Sequence, residues 1–239
     1  MAAVIEALGL TRHFGGLRAV DGVDFRLEQG EIHGLIGPNG AGKTTFVSLL
    51  SGRVPVQSGQ ITLRGEDITH LPAHLRVRRG IAYTFQITSV YPRLSVFDNV
   101  ALAAQSSGAG DVAAEVADAL ARVGMVGMEQ SMAGTLSYGH QRLLEVAMGL
   151  ALRPLVLILD EPTQGLAAGE IDGFKALIRS LVPDTTILLI EHNMDVVMDL
   201  ADRITVLNFG QVLALGIPQE IRRNRAVQDA YLGGDHAPG

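Results

Sequence analysis

Residues 37–45 read GPNGAGKTT. Three glycines fall within six residues, the run ends in a lysine and two threonines, and the chain then turns apolar in FVSLL. Ahead of the loop stands HGLI, a short apolar segment. Strand, glycine loop and helix in that order leave few folds open. Glycines let backbone N–H groups turn inward without a Cβ in the way, and the start of a helix adds its positive dipole end. The spacing Gly37-x-x-x-x-Gly42-Lys43-Thr44 is a complete phosphate-binding loop in its expected context. Gly37, Pro38, Asn39, Gly40, Ala41, Gly42, Lys43, Thr44 and Thr45 are the expected cradle of a nucleotide. Lys43 is expected on the β- and γ-phosphates, and the Thr44 hydroxyl on Mg²⁺.

Beyond the loop, continuous apolar runs alternate with helical spacing. LVLIL (155–159) and TTILLI (185–190) are strand-length; AGEIDGFKALIRSLV and MDVVMDLAD are helical, and RITVLN and QVLAL close the series. Such alternation predicts an α/β fold whose mostly parallel sheet is covered on both faces, with ligands at the carboxyl ends of the strands. The N-terminal 3–36 stretch reads as short strands with turns: VIEAL, VDFRLEQ and EIHGLI. ITLRGEDI (61–68) is expected as strand and turn, 72–79 as a short helix and IAYTF (81–85) as a strand. Residues from about 95 to 153 change character. SVFDNVALAAQ, DVAAEVADALARVG and GHQRLLEVAMGLALR are rich in alanine and leucine at helical spacing and predict an inserted helical subdomain. The whole chain, 1–239, is expected to form one domain, with GGDHAPG (233–239) as a flexible tail.

Hydrophobic residues make up 47% of the 239. No run approaches the roughly 18–20 residues of a membrane span, so the apolarity is assigned to a sheet buried on both faces. The formal net charge of −6 speaks against nucleic acid as the main ligand. The absence of cysteine removes disulfides, thiolate metal sites and cysteine nucleophiles. MAAVIEALGL has no basic stretch before a long apolar core, so no signal peptide is expected and the cytoplasm is the default location.

A second motif stands at LVLILDEP. Five apolar residues bury a strand and deliver Asp160 and Glu161 to its end. Neighbours on a strand point to opposite faces, so the two acids are expected to differ in role. Asp160 is expected to hold Mg²⁺ through water, and Glu161 to act as general base on the attacking water. The plain alternative is a strand ending in an acidic turn.

LSYGHQ (136–141) opens the helix just upstream of that strand. With the two motifs above, it makes the chain resemble the ATP-binding subunit of an ABC transporter, whose signature is usually LSGGQ. Ser137 and Gly139 match; Tyr138 and His140 depart. The resemblance covers about 3–232 and implies a P-loop fold of ABC type, with an N-terminal antiparallel β subdomain and a helical subdomain carrying the signature. It implies that Ser137, Tyr138, Gly139 and His140 contact ATP held by an opposite subunit. Gln86 resembles the glutamine that touches Mg²⁺ and the attacking-water region. His192, in LLIEH, resembles the switch histidine at the γ-phosphate, making Lys43, Glu161 and His192 the implied catalytic set. Phe14, in HFGG, lies where the family puts a ring against adenine. Ala167 stands where many members have an aspartate that contacts the other subunit.

FGGLRAVDGV, RGIAYTFQ, IEHNMDVV, ADRITVLNFG and AYLG resemble the branched-chain amino acid uptake branch, with subunits for urea and short amides as close relatives. The implied cofactors are ATP and Mg²⁺. The implied partners are integral-membrane permeases, a second ATP-binding subunit and, indirectly, an extracytoplasmic solute-binding protein. The implied place is the cytoplasmic face of the membrane. The competing reading is a stand-alone ABC-type ATPase with a non-transport target. Against it, the chain lacks the length and cysteines of coiled-coil or zinc-bearing relatives, holds one P-loop, and shows no NKxD guanine-reading motif.

Three features are expected to carry no function. His70 and His74 have metal-like spacing, but Pro72 stands between them and no third ligand is evident. LRVRRG (75–80) and IRRNR (221–225) are expected as solvated basic faces, with a role beside membrane or partner acids as the alternative. Glu66 and Asp67 sit in a turn-like stretch.

Overall fold

The computed structural model describes residues 3–84, 90–108 and 110–232. The strands are β1 (Ala3–Phe14), β2 (Leu17–Glu28), β3 (Ile32–Ile36), β4 (Ser58–Leu63), β5 (Glu66–Asp67), β6 (Ile81–Thr84), β7 (Val156–Asp160), β8 (Thr186–Ile190), β9 (Arg203–Asn208) and β10 (Gln211–Gly216). The helices are α1 (Lys43–Leu50), α2 (Ala73–Arg78), α3 (Val96–Ser106), α4 (Val112–Arg122), α5 (Tyr138–Leu150), α6 (Ala168–Leu181), α7 (Met194–Leu200), α8 (Pro218–Arg223) and α9 (Arg225–Leu232).

Two sheets form. One is antiparallel in the order β2-β1-β4-β5. The other runs β10-β9-β3-β8-β7-β6, parallel throughout except for its antiparallel edge strand β10. The central strands show why continuous apolar runs are needed. In β7 and β8, Leu157, Leu159, Ile187 and Leu189 face a core shared with the helices α3 to α6. Their neighbours Val156, Ile158, Leu188 and Ile190 face a second core with Phe46, Leu49 and Leu50 of α1 and with the antiparallel sheet. Each such side chain contributes about 1.5–3 kcal/mol on burial, so a polar residue on either face would be costly. A third core joins Ile36, Ile204 and Val206 to Val197, Ile221 and Val227, the last two from α8 and α9.

The N-terminal strands are longer than the short segments expected. β1 and β2 are each 12 residues, joined across Gly15 and Gly16. The Gly-Gly pair supplies the hairpin turn, and register shifts along β1 blur the alternation that periodicity would have read. The helices α8 and α9 extend the series beyond QVLAL, which the sequence pattern gives as its close. One basic cluster also needs correction. Within LRVRRG, Arg76 is not solvated but 1% exposed. Its guanidinium donates to the carbonyls of Leu49, Leu50, Thr69 and Leu71, closing the carboxyl end of α1. Burial lowers its pKa to about 10, with Asp67 partly offsetting the shift. Arg222 and Arg223 are exposed, as are His70 and His74. Among the described residues, no helix is long and apolar enough to cross a membrane, and no group of three or more His, Asp or Glu could hold a metal alone.

The helices α3, α4 and α5 pack on one another through Val100, Ala104, Val116, Leu120 and Leu144. Side-chain caps set their starts. Ser95 accepts from the Asp98 N–H, Asp111 from the Ala114 N–H and Ser137 from the His140 N–H, each contributing about 1 kcal/mol. The expected tail, 233–239, lies outside the described residues.

Candidate active site

The carboxyl ends of β3, β7 and β8 lie side by side, because Leu35 pairs with Ile190 and Ile190 with Asp160. The loop after β3, the end of β7 and the loop after β8 therefore meet. Between them is a cleft of about 350 Å³ lined by Leu17, Ala19, Asn39, Gly40, Ala41, Gly42, Lys43, Thr44, Thr45, Glu161, Ile190 and His192.

The loop's shape depends on its glycines. Gly42 has φ 101°, and a Cβ there would collide with the Ala19 carbonyl oxygen. As the residue before α1 it offers no side-chain cap. Among the described residues, none supplies an acceptor to the N–H groups of Gly42, Lys43, Thr44 or Thr45. A helix start left open in this way is a site for an anion. Lys43 is buried, and its Nζ donates to the carbonyls of Gly37 at 2.6 Å and Pro38 at 3.1 Å. Burial pushes its pKa down, and the carboxylates of Glu161 and Asp160 push back. The cation thus faces both acids from inside the loop. Thr44 on the same first turn is exposed.

The two acids diverge, but strand alternation is not the whole reason. Asp160 is the last residue of β7; Glu161 has φ 50°, left-handed, so the backbone turns there. A left-handed non-glycine residue is strained, and such strain gathers at functional sites. Asp160 is buried and accepts a hydrogen bond from the Tyr83 hydroxyl. Burial raises the Asp160 pKa, the Tyr83 bond pulls it back, and the nearby Glu161 adds to the rise. Burial likewise pushes the Tyr83 phenol up, and the bond to Asp160 adds to it. The Arg53 guanidinium lies 4.2 Å from the Tyr83 ring centroid and donates to the Ser48 hydroxyl of α1. Glu161 Oε1 stands 2.7 Å from His192 Nε2, so the expected base and the expected switch histidine are in contact.

Other expected residues fall elsewhere. Phe14 ends β1 and does not line the cleft; it carries the Arg12 guanidinium 4.8 Å above its ring. Leu17, across the Gly-Gly turn, and Ala19 line the cleft instead. Gln86 lies outside the described residues. Ser137, Tyr138, Gly139 and His140 start α5 and do not reach the P-loop cleft of their own chain. Ser137 Oγ is within 2.8 Å of His140 Nδ1, so this serine is a helix cap in the single chain. Gly139 and His140 border a separate, mostly apolar cavity of about 290 Å³ with Leu143, Leu166 and Glu170. Glu170 reaches back to accept from the Ala167 N–H. The residue at 167 caps α6 through its backbone N–H.

Two side chains beside the site escaped the sequence reading. Tyr83 alternates inside an ordinary-looking strand and gives no signal. Glu191 had one: an acid directly after an apolar strand and directly before His192. It is 3% exposed.

A phosphate cradle, a buried lysine facing two acids and a glutamate touching a histidine define a P-loop ATPase cassette. Residues 20–164 match the family described as ABC transporter, and residues 211–237 the one described as branched-chain amino acid ATP-binding cassette transporter. The chain is 39% identical to the high-affinity branched-chain amino acid transport ATP-binding protein BraF of Pseudomonas aeruginosa, covering 96% of this chain and 98% of that one. It is 38% identical to LivG of Escherichia coli K12, with the same description and the same coverage. A solved nucleotide-free ATP-binding cassette from an ABC transporter superposes with a TM-score of 0.88 at 24% identity, over 96% of this chain and 99% of that one. The chain belongs to the ATP-binding subunits of ABC transporters, in the branched-chain amino acid transport family. It is an ABC-type ATPase whose hydrolysis is coupled to transport, and its sheet core, antiparallel β subdomain and helical subdomain are those of that fold.

Proposed function

We propose that this chain binds ATP in the cleft at Lys43 and hydrolyses it in a two-subunit sandwich. The observation that carries the reading is the contact of Glu161 with His192 beside an open P-loop. The backbone N–H groups of Gly42 to Thr45 and the Lys43 ammonium bind the phosphates, exchanging the Gly37 and Pro38 carbonyls for phosphate oxygens. Glu161 takes a proton from the attacking water, and His192 orients Glu161 and meets the γ-phosphate. Thr44 and Asp160 fit a hard cation, an exposed hydroxyl and a carboxylate near the phosphate site, and they would hold Mg²⁺ with Gln86 as the third group. The metal supplies neutralisation of phosphate charge. Leu17 and Ala19 offer an apolar wall for the base.

The signature residues of the same chain do not reach this cleft, which favours completion of each site by Ser137 and Gly139 of a second ATP-binding subunit. Closure that assembles the site couples hydrolysis to movement. Permease subunits transmit that movement at the cytoplasmic face of the membrane, and a solute-binding protein delivers the cargo. Branched-chain amino acids or related small polar solutes are the cargo class, by similarity to BraF and LivG.

The test is Glu161→Gln in the full-length chain. Nucleotide affinity should stay within about twofold, while ATP turnover falls at least ~100-fold, the lower end of what a lost general base costs. Turnover at the wild-type rate removes Glu161 from the chemistry.

A further inference from the structure

Glu191 follows β8 and sits below the cleft without lining it. Its two carboxyl oxygens face two different loops. Oε1 accepts from the Thr163 N–H at 2.8 Å and from the Thr163 hydroxyl at 2.6 Å. Oε2 accepts from the N–H groups of His192 at 3.1 Å and Asn193 at 3.4 Å. Thr163 is 5% exposed, so these bonds lie out of water. The chain then closes on itself. Glu161 runs through Pro162 to Thr163, Thr163 bonds Glu191, Glu191 precedes His192, and His192 Nε2 returns to Glu161 Oε1.

We propose that Glu191 is a positioning residue that ties the loop after Glu161 to the loop carrying His192, and so sets the register between base and switch histidine. The proposal rests on the reading of Glu161 and His192 given above and deepens it. The chemistry requires a carboxylate. Donors approach from both sides, and an ionised carboxyl accepts at both oxygens, whereas an amide offers one oxygen and one NH₂. Either orientation of a glutamine at 191 therefore sets an NH₂ against N–H donors and breaks one arm of the ring. Neither Glu191 nor Thr163 is placed to touch substrate, so the tie acts through the backbones of 161–163 and 191–193. A misplacement of even 1 Å at reacting groups costs rate more than affinity.

The tie extends to the signature. Gly165, two residues past Thr163, has φ 81° and lies under the Tyr138 ring, where a Cβ would stand 2.9 Å from Cε1. The Tyr138 hydroxyl accepts from Arg142 at 2.8 Å, and Arg142 pairs with the buried Glu145. The loop from 161 to 166 is thus held at one end by Glu191 and at the other by the first residue of α5. The Glu161 N–H also donates to the Ile190 carbonyl at 2.8 Å, and Leu166 packs against the helical core, so Thr163 and Gly165 are the attachments between these two anchored ends.

The test compares Thr163→Val, Thr163→Ser and Glu191→Gln in the full-length chain. Valine removes only the hydroxyl arm; serine keeps it. Thr163→Val and Glu191→Gln should each lower kcat about tenfold with KM for ATP within twofold, and Thr163→Ser should keep at least half the wild-type kcat. The double variant should be no slower than the slower single one, because both break the same ring. Amide exchange in nucleotide-free protein should quicken at least fivefold over 163–166 in Glu191→Gln. Wild-type kcat in Thr163→Val, or kcat and nucleotide affinity falling in parallel, overturns the proposal. So does unchanged exchange over 163–166. A wild-type chain that bound no ATP would instead overturn the reading of the site, and the exchange measurement would still decide the tie.

Discussion

At the level of single residues, the site depends on where hydrogen-bonding groups are left open and where they are held. Lys43 rests on two loop carbonyls that it can release, whereas Asp160 is fixed by the Tyr83 hydroxyl. Tyr83→Phe deletes that donor and keeps the ring under Arg53. Loss of one bond to a buried carboxylate costs about 1.5–3 kcal/mol. The expected outcome is a lowered urea midpoint in nucleotide-free protein and a higher Mg²⁺ concentration for half-maximal turnover. An unchanged Mg²⁺ requirement removes Tyr83 from the metal site. Gly42→Val forces a side chain onto the Ala19 carbonyl at a left-handed backbone position. It should abolish ATP binding, as read by fluorescent-nucleotide titration. The P-loop and the acids were legible because their chemistry demands residue types at fixed spacing within one stretch. Tyr83 and Glu191 act across strands, on partners far away in sequence, and no spacing rule encodes such pairs. Phe14 was placed by resemblance alone, whereas Leu17 lines the cleft of the nucleotide-free chain.

Among the elements, α1 is the one that must stay still, because its first turn is the anion site. Its far end is closed by a buried guanidinium from α2 that donates to four carbonyls. Arg76→Met removes the charge and leaves those acceptors without it. The expected loss is about 3–5 kcal/mol of unfolding free energy by urea titration, since each buried carbonyl left without a donor costs about 1–3 kcal/mol. A change under ~1 kcal/mol would mean that water replaces the guanidinium. The same arginine shows the limit of charge patterning, since LRVRRG looks like a solvated run and only its place under α1 distinguishes Arg76 from Arg78. The central strands were legible because burial on both faces leaves no polar position to confuse the pattern. The β1–β2 hairpin was read short because bulges break its alternation. The final pair α8 and α9 is short and mostly exposed, with Ile221 and Val227 as buried anchors, too few for helical periodicity to register.

For the whole molecule, the separation of the signature from the P-loop within one chain is the decisive fact. Ser137 caps α5 and touches its own His140; under the proposed sandwich, the cleft it completes is another subunit's. Ser137→Ala should cost the chain about 1 kcal/mol of stability as a lost cap. It should leave ATP affinity of the isolated chain unchanged and lower turnover of the assembled transporter. The central claim is that this cassette powers a membrane permease, and the most direct test is its mild-detergent purification from native membranes with every co-purifying chain identified. The account predicts recovery of integral-membrane permease chains together with a second ATP-binding subunit, either another copy or a related chain. Recovery from the soluble fraction alone, with no permease attached, would contradict it.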